Sequence, residues 1–207
     1  MARISVVRAG RGIVEVLLLM VCLAGPAWAQ RGAITVARNL DELTHQSAVI
    51  VRGFVVRARV EKHPQFTNLD TIVVTLRVKE TLKGEVGPIY SFRQYIWDFR
   101  DRQDAAGYRK GQELLLLMNR VNQYGLTSPA GMEQGRFRIL RDRSGKETVV
   151  NGLGNYGLFR GLEAQVEKKG VKLSPGMAAL VRQEPGVPLA ADNLRELILE
   201  LQGKSTQ

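Results

Sequence analysis

The 207-residue chain has one cysteine and two histidines. So small a set excludes a disulfide-built scaffold and a zinc site of several Cys and His ligands. It also leaves little for nucleophilic catalysis, which needs an activated Ser, Cys or Thr with a base in reach; no Gly-x-Ser-x-Gly occurs. Aromatic residues make up only 6%, and the sequence pattern turns Phe54, Phe92 and Phe137 inward, so a stacking platform for single-stranded nucleic acid is poorly supported. Acidic residues are the scarcer charge, 20 against 30 Lys and Arg, for a net +10 and a pI near 10.1. That surplus favours anionic partners. No apolar run reaches the roughly 20 residues of a bilayer span. What remains, 44% hydrophobic and 24% charged, is an ordinary globular mixture rather than a disordered one.

The beginning of the chain reads as an address. Arg3, Arg8 and Arg11 precede the apolar run Val16 to Ala24, followed by Gly25-Pro26 and Ala27-Trp28-Ala29. A basic region, a short apolar core and an Ala-x-Ala exit describe a signal peptide over 1–29, with Gln30 as the new N-terminus. Cys22 does not mark a lipid anchor: Val21 stands where a small residue is required, and the apolar core continues past it. Cleavage would remove Cys22. The expected product is a soluble, cysteine-free protein in the periplasm or outside the cell, with no membrane span and enough length to be held by its core alone.

Behind the leader, 30–47 reads as a lead-in with a short helix capped by Asn39. Over 48–150 the texture is that of strands. In the run Val49 to Val60, Phe54, Val56, Ala58 and Val60 are expected on one face and Arg57 and Arg59 on the other, with Gly53 at a slip in the alternation that suggests a β-bulge. Ile72, Val74, Leu76 and Val78 alternate with Thr75, Arg77 and Lys79. Ile89 to Ile96 is a third strand, 97–108 a polar loop, and Leu114 to Met118, apolar on both faces, a central strand. Gly135 to Leu140 and Thr148 to Val150 form a hairpin. A loop and helical extension fills 151–207. Its first helix opens at Ser174-Pro175. Its last is capped by Asp192, with Leu194, Leu197, Ile198 and Leu201 on one stripe. Together these elements predict a mainly β protein: a small OB-like barrel of five to six strands with a short N-terminal helix and C-terminal helices, or alternatively a half-open β-sandwich.

Four segments carry a resemblance. They are Ser47 to Gly53, Thr75 to Gly84, Gly111 to Leu117, and Gly135 to Arg138. In this order they resemble a group of exported bacterial proteins of unknown function. More loosely, they are similar to the netrin-like modules of tissue metalloprotease inhibitors, which are OB-type barrels. The resemblance covers about Leu43 to Val150 and implies a fold. Those inhibitors act through an N-terminal cysteine, which a chain beginning at Gln30 lacks, so no functional residue is carried over.

The basic residues carry the sharpest functional reading. Arg57, Arg59, Arg77, Lys79, Arg93, Arg136 and Arg138 fall on outward strand positions and would form a cationic face for a polyanion, such as lipopolysaccharide or an acidic glycan, if neighbouring strands bring them together. The same residues would otherwise serve as solubilising edge protection. The stripe Leu194, Leu197, Ile198 and Leu201 would dock a partner protein if exposed, and would pack on the barrel if not. Asp98, Asp101 and Asp104 could serve acid/base chemistry or bind calcium if they converged, though interleaved Arg100 and Arg102 favour a solvated loop. Glu61 and His63 read as a surface turn rather than half a metal site. Gly152, Gly154 and Gly157 read as a loop. No catalytic residue, metal or cofactor is expected. The expected function is an exported, non-enzymatic binding or adaptor protein for an envelope polyanion or a protein partner; an inhibitor of a secreted protease and, last, a hydrolase using the acidic loop are the alternatives.

Overall fold

A computed structural model describes residues 36–183 and 188–203. The expected signal peptide and Gln30 lie outside the described residues. Helix α1, Leu40–Gln46, starts as anticipated: the Asn39 side chain accepts from the Glu42 backbone N–H while the Glu42 carboxylate accepts from the Asn39 N–H, a capping box that satisfies two otherwise orphaned donors. Two long strands follow, β1 (Val49–Lys62) and β2 (Asp70–Lys83), then β3 (Ile89–Tyr95). The expected polar loop instead contains a short helix, α2 (Phe99–Asp104), because the Asp98 side chain caps it by accepting from the Arg100 N–H. Then come β4 (Glu113–Met118), β5 (Arg136–Arg141) and β6 (Glu147–Asn151). Helices α3 (Leu162–Lys168) and α4 (Pro175–Val181), the two-residue strand β7 (Leu189–Ala190) and helix α5 (Ala191–Leu201) complete the order.

The strands form one antiparallel sheet in the order β3-β2-β1-β4-β5-β6-β7. The protein is therefore mainly β, but the sheet is open, with β3 and β7 as edges. It is neither the closed barrel of five to six strands nor a pair of stacked sheets. Helices bury one face, whereas the buried residues of the other pack chiefly on one another, with a small contribution from outside the strands. On one face Ile50, Leu115, Leu117, Phe137 and Val149 pack against Leu40 and Leu43 of α1, Leu162 and Val166 of α3, Met177 and Val181 of α4, and the α5 stripe. On the other, Val51, Val55, Ile72, Val74, Leu76, Phe92, Leu114, Leu116 and Met118 pack with Ala106 and Tyr108 from the segment after α2. Strand β4 is buried at every position and feeds both cores by simple alternation, as its all-apolar run predicts.

Bulges decide which residues face where. The β1–β2 register shifts between Arg52 and Gly53, as the sequence suggested, and again between Val55 and Arg57, where Val56 is left without a partner. The second bulge flips the phase of β1. Val55, not Val56, therefore enters the core, and Val56 is exposed. Phe54 lies on the face opposite Ala58 and Val60, with the Arg77 guanidinium 5.5 Å from its ring. At Gly53 the requirement is spatial: a Cβ there would sit 2.5 Å from the Arg77 carbonyl oxygen.

Helix α3 has no cap from a side chain and went unseen in the sequence. The last helix begins after Ala190, with Asp192 in its first turn rather than at its cap. Among the described residues no helix is long and apolar enough to cross a membrane.

Candidate functional site

The seven cationic candidates do not share a face. Arg136 and Arg138 pair across the ladder with Leu116 and Leu114, which belong to the core opposite the helix layer. Arg57, Arg59, Arg77, Lys79 and Arg93 lie on the other side. Arg136 does not point outward at all. Its guanidinium stacks 4.5 Å from the Tyr108 ring centroid and donates to the Ala106 carbonyl at 2.6 Å. Burial there pushes the Tyr108 hydroxyl pKa up to about 12. On the helix side most charges are already matched. Arg59 pairs with Glu61. Arg93 donates to Thr71 Oγ1 at 2.6 Å and to Glu61 Oε2 at 3.4 Å. Lys79 meets Glu113 at 3.2 Å. Arg57, Arg77 and Arg138 remain exposed, and they stand on both faces. The strand cations therefore do not build the continuous polyanion surface that outward alternation suggested.

At the border between that face and the helix layer lies a charge cluster the sequence did not reveal. Buried Arg52 donates to Glu113 at 2.8 Å and to Glu147 at 2.6 Å, and Arg141 pairs with both carboxylates. The bonds from Arg141 and Arg52 hold the Glu147 carboxyl far below its usual range, at about 2. This cluster ties β1, β4, β5 and β6 together, and every charge in it has an opposite partner.

Other candidates resolve into structure. Leu194, Leu197 and Ile198 are 0% exposed and Leu201 is 2% exposed, so the α5 stripe is core and offers no docking surface. Asp98 and Asp104 each cap a local turn. His63 is buried rather than on a surface turn. Its Nδ1 accepts from the Gln65 and Phe66 backbone N–H groups, so Nε2 carries the proton and donates to the Tyr124 carbonyl at 2.8 Å. Among the described residues no three His, Cys, Asp or Glu side chains could jointly hold a metal ion.

A cleft elsewhere has the features of a binding site. The end of edge strand β3 and the loop after β4 border an open cleft of about 510 Å³ lined by Tyr95, Trp97, Asn119, Arg120, Asn122, Leu126, Thr127 and Ser128. This lies within the roughly 300–1,000 Å³ typical of small-ligand sites. Tyr95 and Trp97 stand edge to face with centroids 5.0 Å apart, and are 40% and 50% exposed. The opposite wall is fixed by its own hydrogen bonds. Thr127 N–H donates to the Arg93 carbonyl of the free β3 edge, Thr127 Oγ1 donates to the Asn119 carbonyl, and Asn122 Oδ1 accepts from the Tyr124 and Leu126 N–H groups. The bond from His63 to Tyr124, and the Phe66–Tyr124 ring contact at 5.5 Å, fasten this loop to the β1–β2 turn. A loop held this way loses little freedom when a ligand arrives.

The sequence did carry a signal for this cleft. Tyr95 at the end of the predicted third strand and Trp97 at the start of the predicted polar loop stand two residues apart, in a chain poor in aromatics. The facing residues Asn119 to Ser128 gave no signal, because only the bond to the β3 edge brings them there. Comparison with known protein families, with curated proteins and with solved structures finds no match for the chain.

Proposed function

We propose that the protein is an exported, non-enzymatic binding module for an envelope polyanion, and that its ligand is a glycan held in the cleft between Trp97 and the 119–128 loop. The leader-like sequence over 1–29 supports export, and the excess of Lys and Arg over Asp and Glu, which persists without the leader, supports an anionic ligand. The observation that carries the reading is the composition of the cleft: an exposed indole and phenol on one side, and amide, hydroxyl and guanidinium groups on the other. Sugar rings present an apolar C–H face that packs on aromatic rings, together with a rim of hydroxyls that needs amide-type partners. Among the described residues that line it there is no carboxylate, which suits recognition better than hydrolysis.

The test is retention on immobilised lipopolysaccharide, acidic glycan and DNA at several salt concentrations, with Trp97→Ala and a double charge reversal at Arg57 and Arg77. The expected result is glycan binding weakened at least tenfold by Trp97→Ala, with an unchanged melting temperature, and little altered by the charge reversal. If Trp97→Ala binds like the parent protein, or if no glycan is retained at low salt, the proposal fails.

A further inference from the structure

Trp97 is not the wall of one cavity alone. A second cleft, of about 290 Å³, adjoins the first, and its lining includes Arg38, Gln46, Trp97, Asn119, Ser128 and Pro129. The two share Trp97, Asn119 and Ser128. Each has one cation of its own, Arg120 in the larger and Arg38 in the smaller. Neither Arg120 nor Arg38 has a carboxylate partner among the described residues, and neither cavity is lined by Asp or Glu. On the sheet the pattern is the reverse, with Arg52, Arg59, Lys79, Arg93 and Arg141 all set against carboxylates.

We infer that the two cavities are subsites for one acidic oligosaccharide laid across Trp97, with one anionic group of the ligand at Arg120 and another at Arg38. The inference rests on the glycan reading above and gives it a length and a charge pattern. Trp97 at the junction would pack on a ring near the middle of the bound segment. Asn119 sits at the same junction but has its side chain engaged already: its Oδ1 accepts from Gln46 Nε2 at 2.9 Å, and its Nδ2 contacts Ser128 Oγ and the Pro129 carbonyl at 3.4 Å each. It therefore shapes the floor. The Asn122 side-chain amide nitrogen, which donates in none of the hydrogen bonds that its Oδ1 makes to the loop, is one polar donor left for sugar hydroxyls in the larger cavity. A cation lining a concave site without a fixed counter-charge attracts an anion more strongly than one on open surface, since the low-dielectric walls focus its field. A planar guanidinium can bind carboxylate, phosphate or sulfate through two bonds at once.

The experiment is calorimetric titration of the whole protein with short and long oligosaccharides. The acidic probes are oligogalacturonate, a phosphorylated mannan fragment and a heparin-derived hexasaccharide, and the neutral probe is a galactan oligomer. The variants are Arg120→Gln, Arg38→Gln and Trp97→Ala. At least one acidic class should bind better than the neutral probe, and the arms distinguish carboxylate, phosphate and sulfate. For that class each Arg→Gln change should weaken a hexamer about 5- to 20-fold. A dimer, able to fill one cavity only, should respond to one of the two changes and not to both. Binding of the neutral probe as tight as the acidic ones, with Trp97→Ala still damaging, would overturn this inference and the polyanionic part of the reading above, and would leave the glycan cleft at Trp97 standing. A hexamer insensitive to Arg38→Gln would overturn the two-cavity span. Binding of no probe would overturn both.

Discussion

Glu147 gives the fold a pH dependence that can be worked through. Its carboxyl accepts from Arg141 and from buried Arg52, and its pKa falls from 4.5 to about 2. At 1.36 kcal/mol per pH unit, a displacement of that size corresponds to ~3 kcal/mol. Solvent reaches the site, since Arg141 is half exposed, and screening should leave about 1–2 kcal/mol. The sign follows from the direction. A carboxyl with a lower pKa in the folded protein stabilises it above its unfolded pKa of about 4.5, and that stability is lost as the pH falls towards 2. Glu147→Gln should therefore be less stable than the parent by about 1–2 kcal/mol at pH 6, or roughly 3–6 °C in Tm for a chain of this size. The gap should shrink through pH 4 and fall to roughly a quarter of its pH 6 value by pH 2.5. Urea titrations of both proteins at pH 6, 5, 4, 3 and 2.5 measure it. Comparing the two proteins matters, because Asp70, bonded to Lys62, and Asp142, bonded to Ser144, also have lowered pKa values and will tilt both curves equally. A gap that stays constant across the range would show that Glu147 acts through packing alone and would refute the reasoning.

Three further perturbations test the architecture. Leu197→Ala and Ile198→Ala should each cost about 2–5 kcal/mol, because both side chains are fully buried; thermal melts that match the parent would mean that the α5 stripe does not pack as described. Gly53→Ala should cost about 1–3 kcal/mol, since its Cβ would lie 2.5 Å from the Arg77 carbonyl oxygen, and a neutral result in urea denaturation would argue against the tight β1–β2 crossing. His63→Ala removes the bond to the Tyr124 carbonyl, so amide hydrogen exchange should speed up across 122–127 while β4 stays protected; unchanged exchange there would mean that the loop is held by its own Asn122 bonds alone.

The strands and the core were largely legible because they obey local periodicity. The alternation Ile72, Val74, Leu76, Val78 and the unbroken Leu114 to Met118 specify burial whatever lies next to them, and Asn39 with Glu42 announces a helix start without tertiary help. Closure was not legible. An open sheet with a helical cover and a barrel of the same strands share one pattern of alternation, and the choice rests on where the helices of 162–201 settle. β7, two residues long, is too short to show a period.

The misreading of the cations has a more specific cause. Outward position is defined against a strand's own apolar face, and this sheet buries both faces: Ile72, Val74 and Leu76 enter one core and Phe137 the other, so the outward cations of β2 and β5 point to opposite sides. Outward position also differs from availability. Arg136 alternates correctly with Phe137, yet it faces a core whose Tyr108 ring accommodates it. Lys79 and Arg93 point out and meet carboxylates from other strands. A net charge of +10 therefore says little about where an anion binds. The informative cations are those that remain without a carboxylate inside a concavity, and Arg38 and Arg120 meet that condition on either side of Trp97. They come from the lead-in and from the loop after β4, the segments with the least periodicity. A site assembled from such segments exists only through the long-range bonds that position them, chiefly Thr127 on the β3 edge and Gln46 on Asn119. Sequence pattern cannot express such bonds, whereas it expresses a strand at every second residue.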